Sequence, residues 1–245
     1  MTCVLGMVVR REREIREFVK TPFYRILGRF AVQGHTFEGE WRATEGSRYF
    51  QSPLLYKENG FKKREDAVTL CRILSANQPM EAVIEKLEKK KENKNPPLLF
   101  NLAELQNECS RLFKLSPDET LKLVQELYEK KLVTYPRTDA RVLSTAVAKE
   151  IFKNLSGLTY YTHGGEFAKE ILEGKAYQGL TKTRYVNDKQ ITDHYAIIPT
   201  GQGLSALKNL SVQGEKVYEV IVRRFLSIFY PPAVYQKVSV VSVID

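Results

Sequence analysis

The chain has 245 residues, of which 43% are hydrophobic, and it carries a formal net charge of +9. This length predicts one large domain or two smaller ones, with enough apolar material for a core. The basic excess favours a polyanionic partner, although charge alone does not separate nucleic-acid-binding proteins from other basic proteins.

Three further features of the composition exclude classes of protein. The cysteines, Cys3, Cys71 and Cys109, are widely separated and form no CxxC pair. This spacing argues against a zinc ribbon or a disulfide framework and predicts a reducing, cytoplasmic compartment. No run approaches the roughly 18 apolar residues of a membrane-spanning helix. The dense charge of residues 10–16 argues against a secretory signal peptide.

The first part of the chain is predicted to form a helix followed by strands. Residues 4–18 place apolar side chains at helical spacing beside an Arg/Glu-rich face. Residues 23–41 predict two strands with a turn at Gly34-His35, and residues 67–76 predict a short helix. The charged run 87–97 ends in two prolines and predicts an exposed connector at a domain boundary, with a basic DNA-contacting strip as the alternative.

Helices are predicted to dominate after this run. Asn101 with Glu104 resembles a capping box, and Ser116 followed by a proline and by Glu119 is a clearer one. Ser144 is predicted to cap a further helix that runs through Asn154. These start signals predict a helical domain that begins close to the two prolines.

The last third of the chain is predicted to return to strand. Residues 157–190 are rich in glycine and polar side chains and predict irregular structure. Residues 212–229 have the periodicity of an amphipathic helix, and residues 236–244 are valine-rich with partial alternation, which favours a strand.

These elements together predict an α+β multidomain chain. A helical domain, residues 96–229, is inserted into a split β-rich domain made of residues 21–95 and 230–245. Residues 1–20 are predicted to be a helical part of an adjoining domain.

A tyrosine on a proline-bounded turn is the first candidate for chemistry. Residues 132–141 read LVTYPRTDAR, so Arg137 follows Tyr135 by two positions and Asp139 by four. A tyrosine hydroxyl is a poor nucleophile at neutral pH because an unperturbed phenol ionises only near pH ~10. A neighbouring guanidinium can hold a phosphate and favour the phenolate, which would let tyrosine attack a phosphodiester. A structural tyrosine after a helix is the competing interpretation.

A second segment favours the catalytic interpretation of Tyr135 over the structural one. Residues 191–200 read ITDHYAIIPT and place Asp193 and His194 just before an apolar stop. Together the two segments closely resemble type IA DNA topoisomerases, in particular the topoisomerase III branch. Tyr195 stands where that family has a second histidine. The resemblance extends to VLGMVVRREREI at residues 4–15, with Cys3 in place of a family proline, and to NPPLLF at residues 95–100.

The resemblance implies the roles of individual residues. Tyr135 matches the family nucleophile, Arg137 the arginine at the scissile phosphate, and His194 the histidine that hydrogen-bonds the phosphate. Asp193 is expected to orient the imidazole or to cap the next segment, and Asp139 to hold Arg137 or to cap a turn. The candidate DNA-binding residues are Asp139, Arg141, Lys182 and Asp193, with Thr181 and Arg184 as weaker candidates.

The resemblance also implies a part that this sequence does not contain. In the family, an N-terminal Toprim domain carries acidic Mg²⁺ ligands, a glutamate and a lysine, and no such acidic cluster follows a strand here. The chain is therefore expected to be a piece of a bacterial, nucleoid-associated, monomeric enzyme that acts on single-stranded DNA and binds no metal by itself. The split β domain would belong to the family's hinged arch.

Two other functions remain to be compared. The isolated chain could be a single-stranded nucleic-acid-binding module without chemistry. A tyrosine recombinase or a type IB enzyme needs an Arg, a His-x-x-Arg set and then a C-terminal tyrosine. Here Tyr135 precedes His194 and no His-x-x-Arg occurs, which disfavours that class.

Overall fold

The structure, a computed structural model, describes residues 2–76 and 81–244. The chain divides into two compact units, one formed by residues 1–90 and 237–245 and the other by residues 91–236. Helices and strands both contribute, as an α+β chain requires. The predicted split of the β-rich domain and its boundaries stay predictions.

The first unit begins with a solvent-exposed helix, α1 (Thr2–Arg16), none of whose residues is buried. The hairpin β1 (Leu27–Val32) and β2 (His35–Glu40) is antiparallel, with Val32 opposite His35. The turn therefore lies at residues 33–34, one residue before the predicted turn at residues 34–35. Gln33 and Gly34 form it, both with positive φ, which suits the twist of a two-residue hairpin.

A cluster of buried hydrophobic side chains forms a small core in the first unit. β3 (Leu55–Lys57) and β4 (Gly60–Phe61) pair antiparallel, and α2 (Arg64–Leu74) follows them. Phe61 is fully buried and stacks on Trp41 with ring centroids 5.3 Å apart. The remaining buried members of this core are Ile26, Ala43, Leu55, Ala67 and Leu70.

The second unit is mainly helical. Its helices are α3 (Leu102–Phe113), α4 (Pro117–Glu129), α5 (Thr145–Lys149), α6 (Ile151–Leu158), α7 (Gly165–Glu173) and α8 (Val212–Ser227). All three predicted caps are present, and the Ser144 hydroxyl accepts a hydrogen bond from the Val147 main-chain nitrogen. Asn101 accepts a hydrogen bond from the Glu104 main-chain nitrogen, and Ser116 and Glu119 form a reciprocal capping box. The central helix α8 buries Val217, Tyr218, Ile221, Val222, Phe225 and Leu226.

The charged run 87–97 was predicted as a connector, and this was wrong for most of it. Residues Val83–Lys94 form strand β5, which pairs with β6 (Ala233–Val243). Almost every side chain of the two strands is solvent-exposed. A ribbon exposed on both faces needs no apolar alternation, so lysine and glutamate do not prevent strand pairing here.

Two helix predictions also need correction. The helix predicted from Ser144 to Asn154 is two helices, α5 and α6, separated by a non-helical Glu150. The region 157–190 was predicted to be irregular but contains α7. Helix α7 was not predicted from the sequence because glycine has a low helix propensity, and Gly164 and Gly165 stand at the start of this helix. Here a side chain on Gly165 would lie 2.5 Å from the Thr159 carbonyl oxygen, so close packing requires glycine.

Within the parts of the chain that the structure describes, no helix has the length and apolar character needed to cross a bilayer. The three cysteines form no disulfide; Cys3 and Cys71 are exposed and Cys109 is buried. Burial raises the pKa of the Cys109 thiol to about 11, so this thiol is protonated at neutral pH.

Candidate active site

The tyrosine and histidine segments lie side by side in the second unit. Val133 and Pro199 form an antiparallel bridge, and the Thr134 main-chain nitrogen donates to the Ile198 carbonyl over 3.0 Å. The Thr134 hydroxyl donates to the Ala196 carbonyl and accepts from the Ile198 nitrogen, each over 3.0 Å. Two segments about sixty residues apart are thus joined through Thr134.

Helix α4 determines where Tyr135 lies. After α4 ends at Glu129, Lys131 adopts a left-handed conformation with φ 61°, which reverses the chain. Leu132 and Val133 then enter the core with almost no exposed surface. The Leu132 nitrogen donates back to the Leu127 carbonyl, and its own carbonyl accepts from the Thr200 nitrogen. The chain therefore reaches Tyr135 from a fixed, buried anchor.

The two aromatic side chains of the candidate site are in contact. The rings of Tyr135 and His194 have centroids 4.3 Å apart and planes tilted by 38°. The centroid of the Tyr128 ring lies 5.5 Å from that of Tyr135, and the planes of these two rings are nearly perpendicular, at 83°. Tyr135 is partly exposed and His194 is exposed, so both are accessible to a ligand.

Thr138 fixes the position of His194 from the tyrosine segment. The buried Thr138 hydroxyl donates to the His194 carbonyl over 3.1 Å and accepts from the Ala140 nitrogen. The threonine of the Tyr-Pro-Arg-Thr run therefore holds the backbone of the histidine. Substitution here would disturb both segments at once.

Tyr135 and His194 line an open pocket of about 600 Å³ on the surface of the second unit. Its walls also include Tyr128, Lys131, Tyr195 and Gln202. Burial raises the pKa of Tyr195, which keeps its phenol neutral and able to donate a hydrogen bond near neutral pH. The pocket thus combines aromatic rings, the Lys131 ammonium, the Glu129 carboxylate and hydrogen-bonding groups.

Arg137 is exposed and is not a wall of this pocket. Its guanidinium makes no hydrogen bond or ion pair with any residue in 2–76 or 81–244, so all five of its donors remain available to an anion. Asp139 is also exposed, and no ion pair with Arg137 is present among these residues. Only the main-chain carbonyl of Asp139 is engaged, by the Asn101 amide over 3.1 Å.

The remaining predicted DNA-binding residues are dispersed. Arg141 is half-buried, with Nη1 3.4 Å from a Glu104 carboxylate oxygen and Nε donating to the Leu99 carbonyl, which is a structural arrangement. Lys182 is exposed and ends a 3₁₀ turn, Leu180–Lys182, whose first residue is buried. Asp193 is exposed beside His194 and has no hydrogen-bond partner among the described residues. The structure therefore brings Tyr135 and His194 together but does not gather the whole predicted set.

Sequence reasoning named only Tyr135 and His194 as site residues among the residues of the pocket wall, and Tyr128, Lys131, Tyr195 and Gln202 are among those it missed. Tyr128 and Lys131 belong to no motif that the sequence analysis singled out. Tyr195 was noticed only as a departure from the family, and Gln202 was not considered. The departure at Tyr195 was a usable signal, because it lies beside the histidine in sequence. Tyr128 lies in the last turn of α4, Lys131 in the turn after it and Gln202 in the loop after Pro199.

The described residues do not provide a metal site. Among residues 2–76 and 81–244, no group of three or more His, Cys, Asp or Glu side chains is placed to hold an ion. Mg²⁺, which the family resemblance implies, therefore does not fit the residues of this part, and the chemistry below is derived from the side chains of the chain.

A sequence model of the DNA topoisomerase family matches residues 1–245. The chain therefore belongs to the DNA topoisomerase family, and it is similar to the topoisomerase III branch of the type IA enzymes.

Individual relatives agree with this assignment. The chain is 34% identical over 243 residues to DNA topoisomerase 3 of Bacillus subtilis, covering 98% of this chain and 30% of the relative. It is 36% identical over 242 residues to DNA topoisomerase 3 of Shouchella clausii, again covering 98% of this chain and 30% of the relative. Full-length topoisomerase I from Thermotoga maritima has a similar fold, with a TM-score of 0.59 and 25% identity, over 97% of this chain and 34% of that structure. The chain thus spans about a third of the length of these proteins.

Proposed function

We propose that this chain carries the nucleophilic tyrosine of a type IA DNA topoisomerase, which breaks and rejoins one strand of DNA. The contact between Tyr135 and His194 in an accessible pocket is the observation that carries the proposal. A structural tyrosine would be expected in the core with its hydroxyl satisfied. Tyr135 instead lies at the surface beside a group that can bind a phosphate oxygen.

The reaction is a transesterification. The Tyr135 oxygen attacks the scissile phosphorus, the bond from phosphorus to the 3′ oxygen breaks, and a 5′-phosphotyrosine link forms while a 3′ hydroxyl leaves. The phenol loses its proton and the leaving oxygen gains one. One ester replaces another, so the reverse reaction reseals the strand without ATP. Passage of another strand through the break changes the topology of the DNA.

Arg137 and His194 have complementary roles in this proposal. His194 lies against the Tyr135 ring and donates a hydrogen bond to an oxygen of the attacked phosphate. Arg137, which has no partner among the described residues, binds the DNA backbone with its planar fork of donors. Lys182, Asp139, Asp193 and Arg141 are proposed to contribute less, since three of them are exposed away from a defined pocket and Arg141 already binds Glu104.

The proposal places the rest of the machinery in other parts of a longer, cytoplasmic and monomeric protein. The Mg²⁺ ligands, the glutamate and the lysine are assigned to a Toprim domain. The paired strands β5 and β6 are assigned to a split arch domain that lifts the helical domain during strand passage. The substrate is single-stranded DNA, in keeping with the charge of +9.

The first prediction tests the covalent link and its polarity. The longer protein that carries this chain is incubated with single-stranded DNA and Mg²⁺ and then denatured. DNA labelled at its 3′ end is expected to give labelled protein, whereas DNA labelled at its 5′ end gives only a shortened free strand. Tyr135→Phe should abolish the adduct and relaxation while sparing most DNA binding, because only the nucleophilic oxygen is lost.

The matched control is Tyr160→Phe, which removes a hydroxyl from a tyrosine that is 86% exposed and lies outside the pocket. This variant should form the adduct normally. An adduct that survives Tyr135→Phe, or that carries the 5′ label, would contradict the proposal.

The isolated 245-residue chain is expected to bind single strands without cleaving them. Its exposed Arg137, which has no partner among the described residues, favours such binding, but proton donation to the leaving 3′ oxygen is assigned to groups outside the chain. A Tyr135-dependent adduct from the isolated chain would show that it is catalytically self-sufficient.

A further inference from the structure

The pocket beside Tyr135 is larger and more aromatic than a phosphate alone requires. We propose that it binds the first nucleotide of the strand that becomes attached to Tyr135, with the base stacked on Tyr128. The inference rests on the proposed function, because the covalent link is what brings this nucleotide to the pocket.

The covalent link restricts where the nucleotide can lie. In a 5′-phosphotyrosine, the sugar of the first nucleotide is one ester bond away from the phosphorus that the Tyr135 oxygen carries. The pocket that Tyr135 and His194 line has a volume of about 600 Å³, which is within the usual range for sites that bind small organic ligands. The opposite end of the broken strand, a 3′ hydroxyl, has no bond to this chain. The pocket can therefore retain one end selectively.

Tyr128 offers the stacking surface. It lies in the last turn of α4, is 38% exposed, and its hydroxyl makes no hydrogen bond with another residue in the described ranges. Its ring is nearly perpendicular to that of Tyr135, so Tyr128 and Tyr135 do not cover each other face to face. An exposed aromatic face stacks with any base, because every base has a π face.

The wall of the pocket also contains polar groups from a loop of defined shape. The Gln202 nitrogen donates to the Thr200 hydroxyl over 3.0 Å, and the flanking Gly201 and Gly203 have positive φ of 76° and 69°. A side chain on Gly203 would lie 2.4 Å from the Lys130 carbonyl oxygen, so the loop packs directly on the turn after α4. The Gln202 amide can donate to and accept from a base edge.

Lys131 also lines the pocket. Its ammonium forms no ion pair with the residues that the structure describes, and it lines the same pocket as Tyr128 and Gln202. A cation at this position can neutralise the phosphate that follows the first nucleotide.

The experiment measures binding of short single-stranded DNA to the 245-residue chain by fluorescence anisotropy, with the dye at the 3′ end. Three ligands are compared: one with a 5′ phosphate and a normal first nucleotide, one with a 5′ phosphate and an abasic first nucleotide, and one with a 5′ hydroxyl and a normal first nucleotide. Loss of the first base should weaken binding roughly five- to tenfold, as expected for one base–aromatic stack. Loss of the 5′ phosphate should weaken binding separately.

Variants assign the base effect to Tyr128. Tyr128→Ala should bind the normal and the abasic ligand equally while keeping the effect of the 5′ phosphate. Tyr128→Phe retains the ring and should keep the base effect. Tyr160→Ala removes an exposed tyrosine outside the pocket and should change nothing. Thermal unfolding of each variant confirms that it is folded.

The outcomes separate this inference from the proposed function. Equal binding of the normal and abasic ligands, with the 5′ phosphate still required, would overturn the nucleotide subsite and leave the phosphate chemistry intact. A Tyr128→Ala variant that loses the phosphate effect together with the base effect would show that Tyr128 only supports Tyr135, and would also overturn the stacking role. Binding that depends on neither base nor phosphate would count against both proposals.

Discussion

At the scale of single residues, two threonines connect the segments that carry the candidate chemistry. Thr134 bonds to Ala196 and Ile198, and Thr138 bonds to the carbonyl of His194. Thr134 also lines the pocket, whereas Thr138 does not. Their hydroxyls convert two remote segments into one surface, so the distance between Tyr135 and His194 depends on them.

Thr134→Val tests this connection at nearly constant side-chain volume. The substitution leaves the Ala196 carbonyl and the Ile198 nitrogen without their hydroxyl partner. We expect the free energy of unfolding to fall by about 1–3 kcal/mol, the usual cost of partly buried groups left unsatisfied. Urea denaturation measures this change. Thr181→Val, on an exposed turn, is the control and should stay within about 0.5 kcal/mol of the parent chain. Equal stability of both variants would show that Thr134 does not hold the segments together.

At the scale of elements, a helix that starts at a local cap can be predicted from the sequence, whereas a helix that depends on close packing cannot. Ser116 and Glu119 start α4 through bonds that lie within four residues, so sequence alone predicted this helix and its direction toward Tyr135. Helix α7 depends on close approach instead: Gly165 packs against the chain near Thr159, and Gly164 packs against α8. The sequence close to Gly164 and Gly165 does not show that Thr159 and α8 pack against them.

Gly165→Ala should therefore destabilise the chain, although alanine is the better helix former by about 1 kcal/mol. The added methyl group would lie 2.5 Å from the Thr159 carbonyl oxygen, which forces the backbone to move. We expect a net loss of about 1–3 kcal/mol, typical of overpacking. Gly6→Ala in α1 is the matched control, since no atom lies within 4 Å of the new methyl group.

Thermal unfolding followed by circular dichroism distinguishes the two variants. Gly6→Ala should leave the main transition unchanged or slightly raise the helical signal. A Gly165→Ala variant as stable as the parent chain would mean that the backbone near Thr159 adapts easily, and that the glycine is not required for packing.

At the scale of the whole molecule, charge and the exposed ribbon are the features to explain. The helical unit is entered by β5 and left by β6, and these two strands pair although about 140 residues separate them. Lysines on β5 add to the net charge of +9 without contributing to a core. Such a molecule should bind single-stranded DNA by releasing counterions.

The salt dependence of binding measures how many phosphates are neutralised. The slope of log affinity against log salt should be about −0.7 per phosphate contacted on single-stranded DNA. Arg137→Gln removes an exposed guanidinium with no partner in the described chain, so the slope should become shallower by about 0.7. Lys169→Gln removes an equal charge from the exposed face of α7 and should leave the slope unchanged. Equal slopes for both variants would show that Arg137 contacts no phosphate.

The sequence by itself determined the elements and the residues whose signals are local. The Tyr-Pro-Arg-Thr and Asp-His runs pointed to Tyr135 and His194, the caps at Asn101 and Ser116 predicted two helices, and the spacing of apolar residues predicted α8. The caps and the apolar spacing act within a few turns of the chain, where hydrogen bonding and side-chain periodicity operate directly, whereas the two runs pointed to Tyr135 and His194 through their resemblance to the topoisomerase family.

Only the tertiary structure decided which remote residues meet. The strand character of the charged run 83–94 depends on its partner β6, and α7 depends on contacts with Thr159 and α8. The pocket brings Tyr128, Lys131 and Gln202 beside Tyr135, and leaves Arg137 outside its walls. These outcomes follow from long-range packing and backbone pairing, whose energies are contributed by residues far apart in the sequence, so no local pattern specifies them.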